Sequence, residues 1–434
     1  MTSKKQTSCA DPYESDAISV DEAKKRIFAE IDPLKGSEKL ALRSCLNRFL
    51  AEDINSPIDV PPHANSAMDG YAIAADDLPT STKKAYQVSA TAFAGKPTQE
   101  SYKSGQLIRI MTGAVMPKGT DTVIMQEMTE KNNDNTITIK AEHKAGQNVR
   151  RPGEDIEKGS QILSVGKQIT AADLGILASL GIGELRVFRK PRVAFFSTGD
   201  ELRSIGDIRG AELKEGEIYD SNRYTLFGML KNLQVDIIDM GVIGDTQEAI
   251  REAFVSASEM ADIVITSGGV SVGEADYIKP TLKKLGNTHF WKIAMKPGRP
   301  LTFGTLASID NNDNDSNPSW FFGLPGNPVA VMVTFMQFVQ PAIQYLASGH
   351  VHSPITLQAL CTDNIYKRSG RSEFQRGIFK QTTDGKLTVR RTGKQGSGIL
   401  TSMSLANCFI YLPSESEGIN EEEMVEIIPF SGSI

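Results

Sequence analysis

Between positions 191 and 348 the chain alternates short, continuously apolar runs with longer segments whose apolar residues recur at helical spacing. RVAFFSTG, VDIIDMGVIGD, ADIVITSGG and WFFGL are the runs. YTLFGMLKNL, TQEAIREAFVSASEM, DYIKPTLKKLG and PVAVMVTFMQFVQPAIQYLAS are the segments that follow them. A run that is apolar at nearly every position fits a strand buried on both faces, and the helical spacing fits an amphipathic helix. Strands and helices alternating in this order predict βαβ units and a mainly parallel sheet covered on both faces over 191–348.

The flanks read differently. Ser19-Val20-Asp21-Glu22 is a capping-box pattern that opens a helix through AKKRIFAEI. From there to 190 the chain is mostly β with linker helices: YQVSATAFAG, LIRIMTG, DTVIMQEM and TITIK are broken by Pro, Gly and Asn. NNDN at 132–135 has the composition of a hairpin tip, and Thr170-Ala171-Ala172-Asp173 caps a helix that ends at Gly181. After Gly349, ITLQALCT, SEFQRGIFKQ, KLTVRRTG, NCFIYLP and EMVEIIPF predict a small β-barrel or sandwich over 349–434. Residues 1–17 read as a flexible tail, and IDNNDNDSNPS at 309–319 as a mobile loop between two strands.

Composition narrows the class. A chain of 434 residues with 40% apolar and 23% charged side chains has the balance of a soluble, multidomain globular protein. The net charge of -6 gives no overall attraction to nucleic acid or to an anionic membrane. Cys9, Cys45, Cys361 and Cys408 form no CxxC pair, which argues against a zinc site and a disulfide framework. No apolar run reaches the roughly 20 residues of a bilayer span, and the first residues lack an apolar signal core. A cytoplasmic location is the expectation.

In an open α/β sheet, ligands bind at the carboxyl ends of the strands. Four loops fall there: STGDEL, VIGDT, TSGGVSVGEADY and GLPGNP. The first three carry Asp200 and Glu201, Asp245, and Glu274 with Asp276. Such acids commonly cap the next helix. They also suit a hard divalent cation held together with substrate phosphates. In TSGGVSVGEADY, Ser267, Gly268, Gly269, Ser271 and Gly273 offer backbone amides and close approach to an anion. In WKIAMKPGRPLTFG, Lys292, Lys296 and Arg299 suit an oxyanion or phosphate, or form a solvated basic face. Pro325 sits in a turn before a helix start, a second place where amides collect. PPHANSAMDGYA packs His63, Ser66, Asp69 and Tyr71 into a stretch with neither helical nor strand alternation. His63 has no metal-spaced partner, and no GxGxxG, P-loop, HExxH or GxSxG motif is present.

Taken in order, SAMDGYA, RIMTGAVMP, RRPGEDI, FFSTGDEL, TSGGVSVGEADY, MKPGRP, GLPGNP, GRSEFQRG and GKQGSGILTSMSLANCF resemble the MoeA-type molybdopterin molybdotransferases, the group that includes the catalytic domain of gephyrin. The resemblance runs from about residue 18 to the C-terminus. It implies a β-rich N-terminal region, a central three-layer α/β/α MogA-like domain and a small C-terminal β-barrel. It implies an enzyme that inserts molybdate into adenylylated molybdopterin and releases AMP, with Mg2+ as cofactor. It further implies a homodimer with shared active sites, in transient contact with other proteins of molybdenum-cofactor biosynthesis. Carried over by motif, Asp69, Thr112, Asp155, Glu201, Asp245 and Asp276 would be catalytic, with Asp245 and Asp276 at the metal. Lys292 and Lys296 would hold an oxyanion or phosphate. Arg371 or Arg376, and Ser397 or Ser402, would form the molybdate pocket. Arg299 stands where many relatives have lysine, so the charge is kept. Rival readings are a CinA-like nucleotide or pyrophosphate hydrolase on the same α/β domain, a gephyrin-like scaffold, and a relative that inserts tungstate.

Overall fold

The computed structural model describes residues 17–206, 212–268, 277–307 and 318–430. The N-terminal tail and the 309–319 loop expected from sequence fall wholly or mainly outside these residues. The chain divides into two compact units. One comprises Met1–Glu38, Asn47–Phe49 and Phe188–Ile434, the other Lys39–Leu46 and Leu50–Val187.

The first unit is built on a six-stranded sheet in the order Asp236–Ile243, Arg192–Thr198, Ile263–Ser267, Ser319–Leu324, Pro300–Leu306, Gly286–Lys292. The first four strands are parallel, and Pro300–Leu306 runs antiparallel to both of its neighbours, so only this strand is reversed in the sheet. Alternate residues go to opposite faces. Val193 and Phe195 enter one core, with helices Val20–Glu30 and Ser221–Lys231 and the long segment from Pro328 to Ser348. Ala194 and Phe196 enter the other, beneath Gln247–Met260 and Ile278–Leu285. The result is the predicted three-layer α/β/α arrangement. The long helix is apolar enough to suggest a membrane span by composition, but it is mostly buried in the protein, so it is a core helix. A π-helical turn at Phe335–Val339 interrupts it, and it ends at Gly349 in a left-handed conformation (φ 73°). The first helix, though it lies in the N-terminal stretch, buries Val20, Ala23 and Ile27 in this unit's core. Ser19 caps it by accepting the Glu22 N–H at 3.1 Å.

Beyond Gly349, Leu357–Cys361, Ser372–Gln381, Leu387–Arg391, Cys408–Leu412 and Met424–Pro429 close into a five-stranded barrel around Cys361, Ile410 and Ile427. A sixth strand, Met295–Lys296, comes from the central region and pairs in parallel with Ser372 and Glu373. The predicted choice between sandwich and barrel thus resolves to a barrel.

Asp262, just before strand Ile263–Ser267, ties the sheet to its entry segment. Its carboxylate accepts two Arg189 guanidinium bonds at 2.7 Å each and the Arg192 N–H at 2.7 Å. Burial pushes its pKa up, but the Arg189 and Arg192 contacts outweigh that and hold it below the ordinary carboxylate value. A lowered folded-state pKa means stability present above the unfolded value of about 4 and lost as pH falls through the folded one. Asp262→Asn is expected to cost about 2–3 kcal/mol at pH 7, since it leaves a half-buried guanidinium without its charge partner. Urea titrations at pH 7 and pH 3 check this, and the deficit should shrink at the lower pH.

The second unit carries a six-stranded sheet, ordered Thr122–Met125, Gly70–Ile73, Gln106–Ile110, Lys84–Ala92, Thr136–Ile139, Thr129–Lys131. NNDN forms the turn between the last two. Beside it, a smaller core of Cys45, Leu50, Leu163, Leu177 and Val187 packs under helix Ala171–Ser179, whose Thr170–Asp173 capping box is reciprocal. Gly70 lies where strands crowd, and a Cβ there would sit 2.0 Å from the Ile124 carbonyl oxygen. That accounts for the glycine of SAMDGYA.

Candidate functional site

In the first unit a cavity of about 540 Å3 opens at the carboxyl ends of the parallel strands. Three of the four expected loops meet in it through described residues that carry the motifs. Thr198 ends one strand and Gly199 and Glu201 follow it, Asp245 follows a second, and Pro325, Gly326 and Asn327 a third. From the fourth loop Gly268 lines the wall, while Gly269, Ser271, Gly273, Glu274 and Asp276 lie outside the described residues. Gly268 has φ 94°, and a Cβ would stand 2.8 Å from the Thr198 carbonyl oxygen. Only glycine lets these two strand ends abut.

Lys296 and Arg299 line the same cavity from the Pro297–Gly298 turn, and Arg371 and Ser397 line it from the barrel. The basic residues thus reach one cavity from the central region and the barrel, and they share it with Glu201 and Asp245. Lys292 is not among the residues that line the cavity. It ends the antiparallel edge strand, where its carbonyl takes the Ile18 N–H at 2.9 Å. Ser267 is buried behind the wall and accepts from Asn222 Nδ2 at 2.9 Å.

Of the alternatives left open in the barrel, Arg371 and Ser397 reach the cavity, whereas Arg376 and Ser402 lie beneath it. Arg376 is 1% exposed and donates from Nε to Ser402 Oγ and from Nη2 to the Gly396 carbonyl, both at 3.1 Å. Burial lowers its pKa to about 10, with nearby Glu373 acting the other way, so the guanidinium stays charged at neutral pH.

On the acidic side, Asp245 lies close to Asp200 and Glu201, and its backbone N–H donates to Asp200 Oδ1 at 3.2 Å. Burial, then the charges of Asp200 and Glu201, raise the Asp245 carboxyl above its ordinary value. Such a group suits proton donation, or a cation that would relieve the repulsion. Among the described residues, no group of three or more His, Cys, Asp or Glu side chains is arranged to hold a metal.

In the second unit, Asp69 and Thr112 meet. Thr112 donates to Asp69 Oδ1 from its backbone N–H and from its hydroxyl, both at 2.7 Å. The backbone bond first, then the hydroxyl, lowers the Asp69 pKa. Both residues are exposed, as is Asp155, whose N–H donates to the Val60 carbonyl at 2.9 Å.

Several residues at the site had no signal in the sequence. Asn222, in the first turn of helix Ser221–Lys231, donates to Ser267 Oγ and to the Gly326 carbonyl at 2.8 Å, so it clasps two of the loops together. Asn222 Oδ1, Asp220 Oδ2, Ser197 Oγ, Thr198 Oγ1 and Thr266 Oγ1 are buried without a hydrogen-bond partner among the described residues. Orphaned polar atoms gathered at strand ends mark where a polar ligand or loop completes the bonding. Gln395 and Glu373 are the other unanticipated members. YDSNRY at 219–224 offered only a helix cap.

Comparison with known proteins gives this geometry a context. Residues 18–181 match the MoeA N-terminal region (domain I and II), 194–345 a probable molybdopterin binding domain, and 358–430 the MoeA C-terminal region (domain IV). A molybdopterin molybdenumtransferase of Haemophilus influenzae is 43% identical over 415 residues, covering 95% of this chain and 99% of that protein. One from a Nostoc species is 36% identical, covering 89% of this chain and 87% of that protein. The crystal structure of a molybdopterin biosynthesis MoeA protein from Pyrococcus horikoshii superposes with a TM-score of 0.82 at 30% identity, covering 95% of this chain and all (100%) of that one. Domain plan, sequence and fold agree from the first helix to the last strand: the chain belongs to the MoeA family of molybdopterin molybdenumtransferases.

Proposed function

We propose that this chain is a molybdopterin molybdotransferase, which binds adenylylated molybdopterin and molybdate, places the metal on the dithiolene sulfurs and releases AMP. The observation that carries this reading is a cavity lined by Lys296, Arg299 and Arg371 together with Glu201 and Asp245. A tetrahedral oxyanion and a phosphoanhydride both need fixed positive charge, and splitting the anhydride is mostly a matter of neutralising its oxygens. Oxygens that leave molybdate as water must be protonated, and Glu201, which lines the cavity and is not assigned to the metal, would serve that task. Asp245 and Asp276 would hold Mg2+, whose charge would be added at the substrate phosphates. Gly268 and the rest of its loop would receive the pterin-phosphate end, and Arg371 with Ser397 the molybdate.

The reading includes a homodimer with shared sites, to which Asp69, Thr112 and Asp155 of one chain would contribute. Tyr224 and Phe227, three residues apart on one helix face, are 48% and 44% exposed, and Ile218 and Tyr219 beside them 54% and 49%, an apolar surface suited to a second copy. A cytoplasmic location goes with the reading. A CinA-like hydrolase is not favoured, because the relatives align through both flanking regions as well as the α/β domain.

The test is AMP release from adenylylated molybdopterin by the purified protein, with molybdate or tungstate and with or without Mg2+. Asp69→Ala and Lys296→Met chains, each inactive alone, should regain activity when co-refolded, because one site of the mixed dimer would be intact. Release of AMP that ignores molybdate would overturn the assignment, and failure to complement would overturn the shared site.

A further inference from the structure

Two charged side chains near the cleft do not reach its cavity, yet each is bonded to a residue that does. Glu373 is 7% exposed. Its Oε1 accepts from Lys296 Nζ at 3.2 Å and its Oε2 from Gln375 Nε2 at 2.8 Å. The contact is built into the backbone, because Lys296 and Glu373 are register partners in the short parallel pairing between the central region and the barrel. Lys296 itself has a 60% exposed side chain, so without this contact its flexible stem would sample many positions. Arg376 lies three residues on, in the same strand. Its Nη2 donates to the carbonyl of Gly396, whose neighbour Ser397 lines the cavity. Its backbone N–H donates to Gln395 Oε1 at 2.8 Å, and Gln395 Nε2 returns a bond to the Arg376 carbonyl at 3.1 Å.

Burying a guanidinium is costly, and an apolar residue of similar size would fill the space more cheaply. What arginine adds is a rigid fork of donors. Here one prong is on Ser402 and another on Gly396, which fixes the turn that presents Ser397. Glu373 thus bonds Lys296, and its charge also favours the Arg376 cation, so it acts on both residues.

We propose that Glu373 and Arg376 are positioning residues that set the oxyanion-binding end of the cleft, Glu373 through Lys296 and Arg376 through the Gly396–Ser397 turn. This rests on the reading of the cleft given above. A rival role for Glu373 is that it merely offsets positive charge. The two roles differ in sign. Removing a charge-offsetting carboxylate strengthens oxyanion binding, whereas removing a tether weakens it.

The experiment is a molybdate titration of AMP release at saturating adenylylated molybdopterin. It uses Glu373→Gln, Glu373→Asp and Arg376→Lys, with the cavity-lining changes Arg371→Gln and Ser397→Ala alongside and thermal melts to establish folding. Each of the three positioning variants should raise the molybdate KM about tenfold, the scale of one lost hydrogen bond to a charged group. Their kcat at saturating molybdate, and their KM for the adenylylated pterin, should stay within about twofold of wild type. Glu373→Asp keeps the charge and shortens the reach, so it separates tether from charge even if Glu373→Gln fails to fold. A lowered or unchanged molybdate KM in folded Glu373 and Arg376 variants overturns the inference alone, provided that the lining variants raise it. If the lining variants also leave molybdate dependence unaltered, the reading of the cleft falls, and this inference with it.

Discussion

Lys296→Met is expected to cut molybdate-dependent AMP release by about a hundredfold or more, the usual consequence of removing one preorganised charge from a site where negative charge develops. Lys296 lines the cavity, and its ammonium is bonded to Glu373. Methionine keeps the length and apolar stem, so packing should survive and the melting temperature should change little. The loss should appear with saturating pterin substrate and be relieved only in part by excess molybdate. A variant that released AMP at the wild-type rate would remove Lys296 from the chemistry.

Phe303→Ala is expected to be the most damaging single change to stability, at about 3–5 kcal/mol. The ring is fully buried in strand Pro300–Leu306 and has Trp291, Trp320 and Phe322 around it, with centroids 5.6, 5.7 and 5.1 Å away. Alanine would leave a cavity bounded by three aromatic rings on neighbouring strands of one sheet, which has little freedom to collapse. A fall in thermal midpoint of roughly 10 °C would follow, checked by differential scanning fluorimetry. Activity should drop as well, because the same strand begins immediately after Arg299.

The fold was legible where burial imposes a period. Strands such as RVAFFST are buried on both faces, which leaves a continuous apolar run, and Ser19 and Thr170 mark helix starts through bonds that span three residues. The acidic loops were legible because a strand's carboxyl end can be located without knowing its neighbours. The barrel half of the cleft was not. SEFQRG is buried at all six positions, so no alternation tells which side chain faces a ligand, and Arg371 and Arg376 stayed equivalent until the closed barrel separated them. Asn222 and Glu373 escaped for another reason. Their partners, Gly326 and Lys296, are 104 and 77 residues away, and no local pattern encodes a bond over that distance.

The two-residue strand Met295–Lys296 also bears on how such chains diversify. It sits in the central region by sequence but is stitched to Ser372 and Glu373 of the barrel. A crossover near Gly349 that exchanged barrels between two relatives would set one parent's Glu373 against the other's Lys296. Recombinants would remain active only where both parents supply compatible partners at these positions. The unit of inheritance here is therefore the pair across the seam, and the seam itself is a poor place to cut the gene.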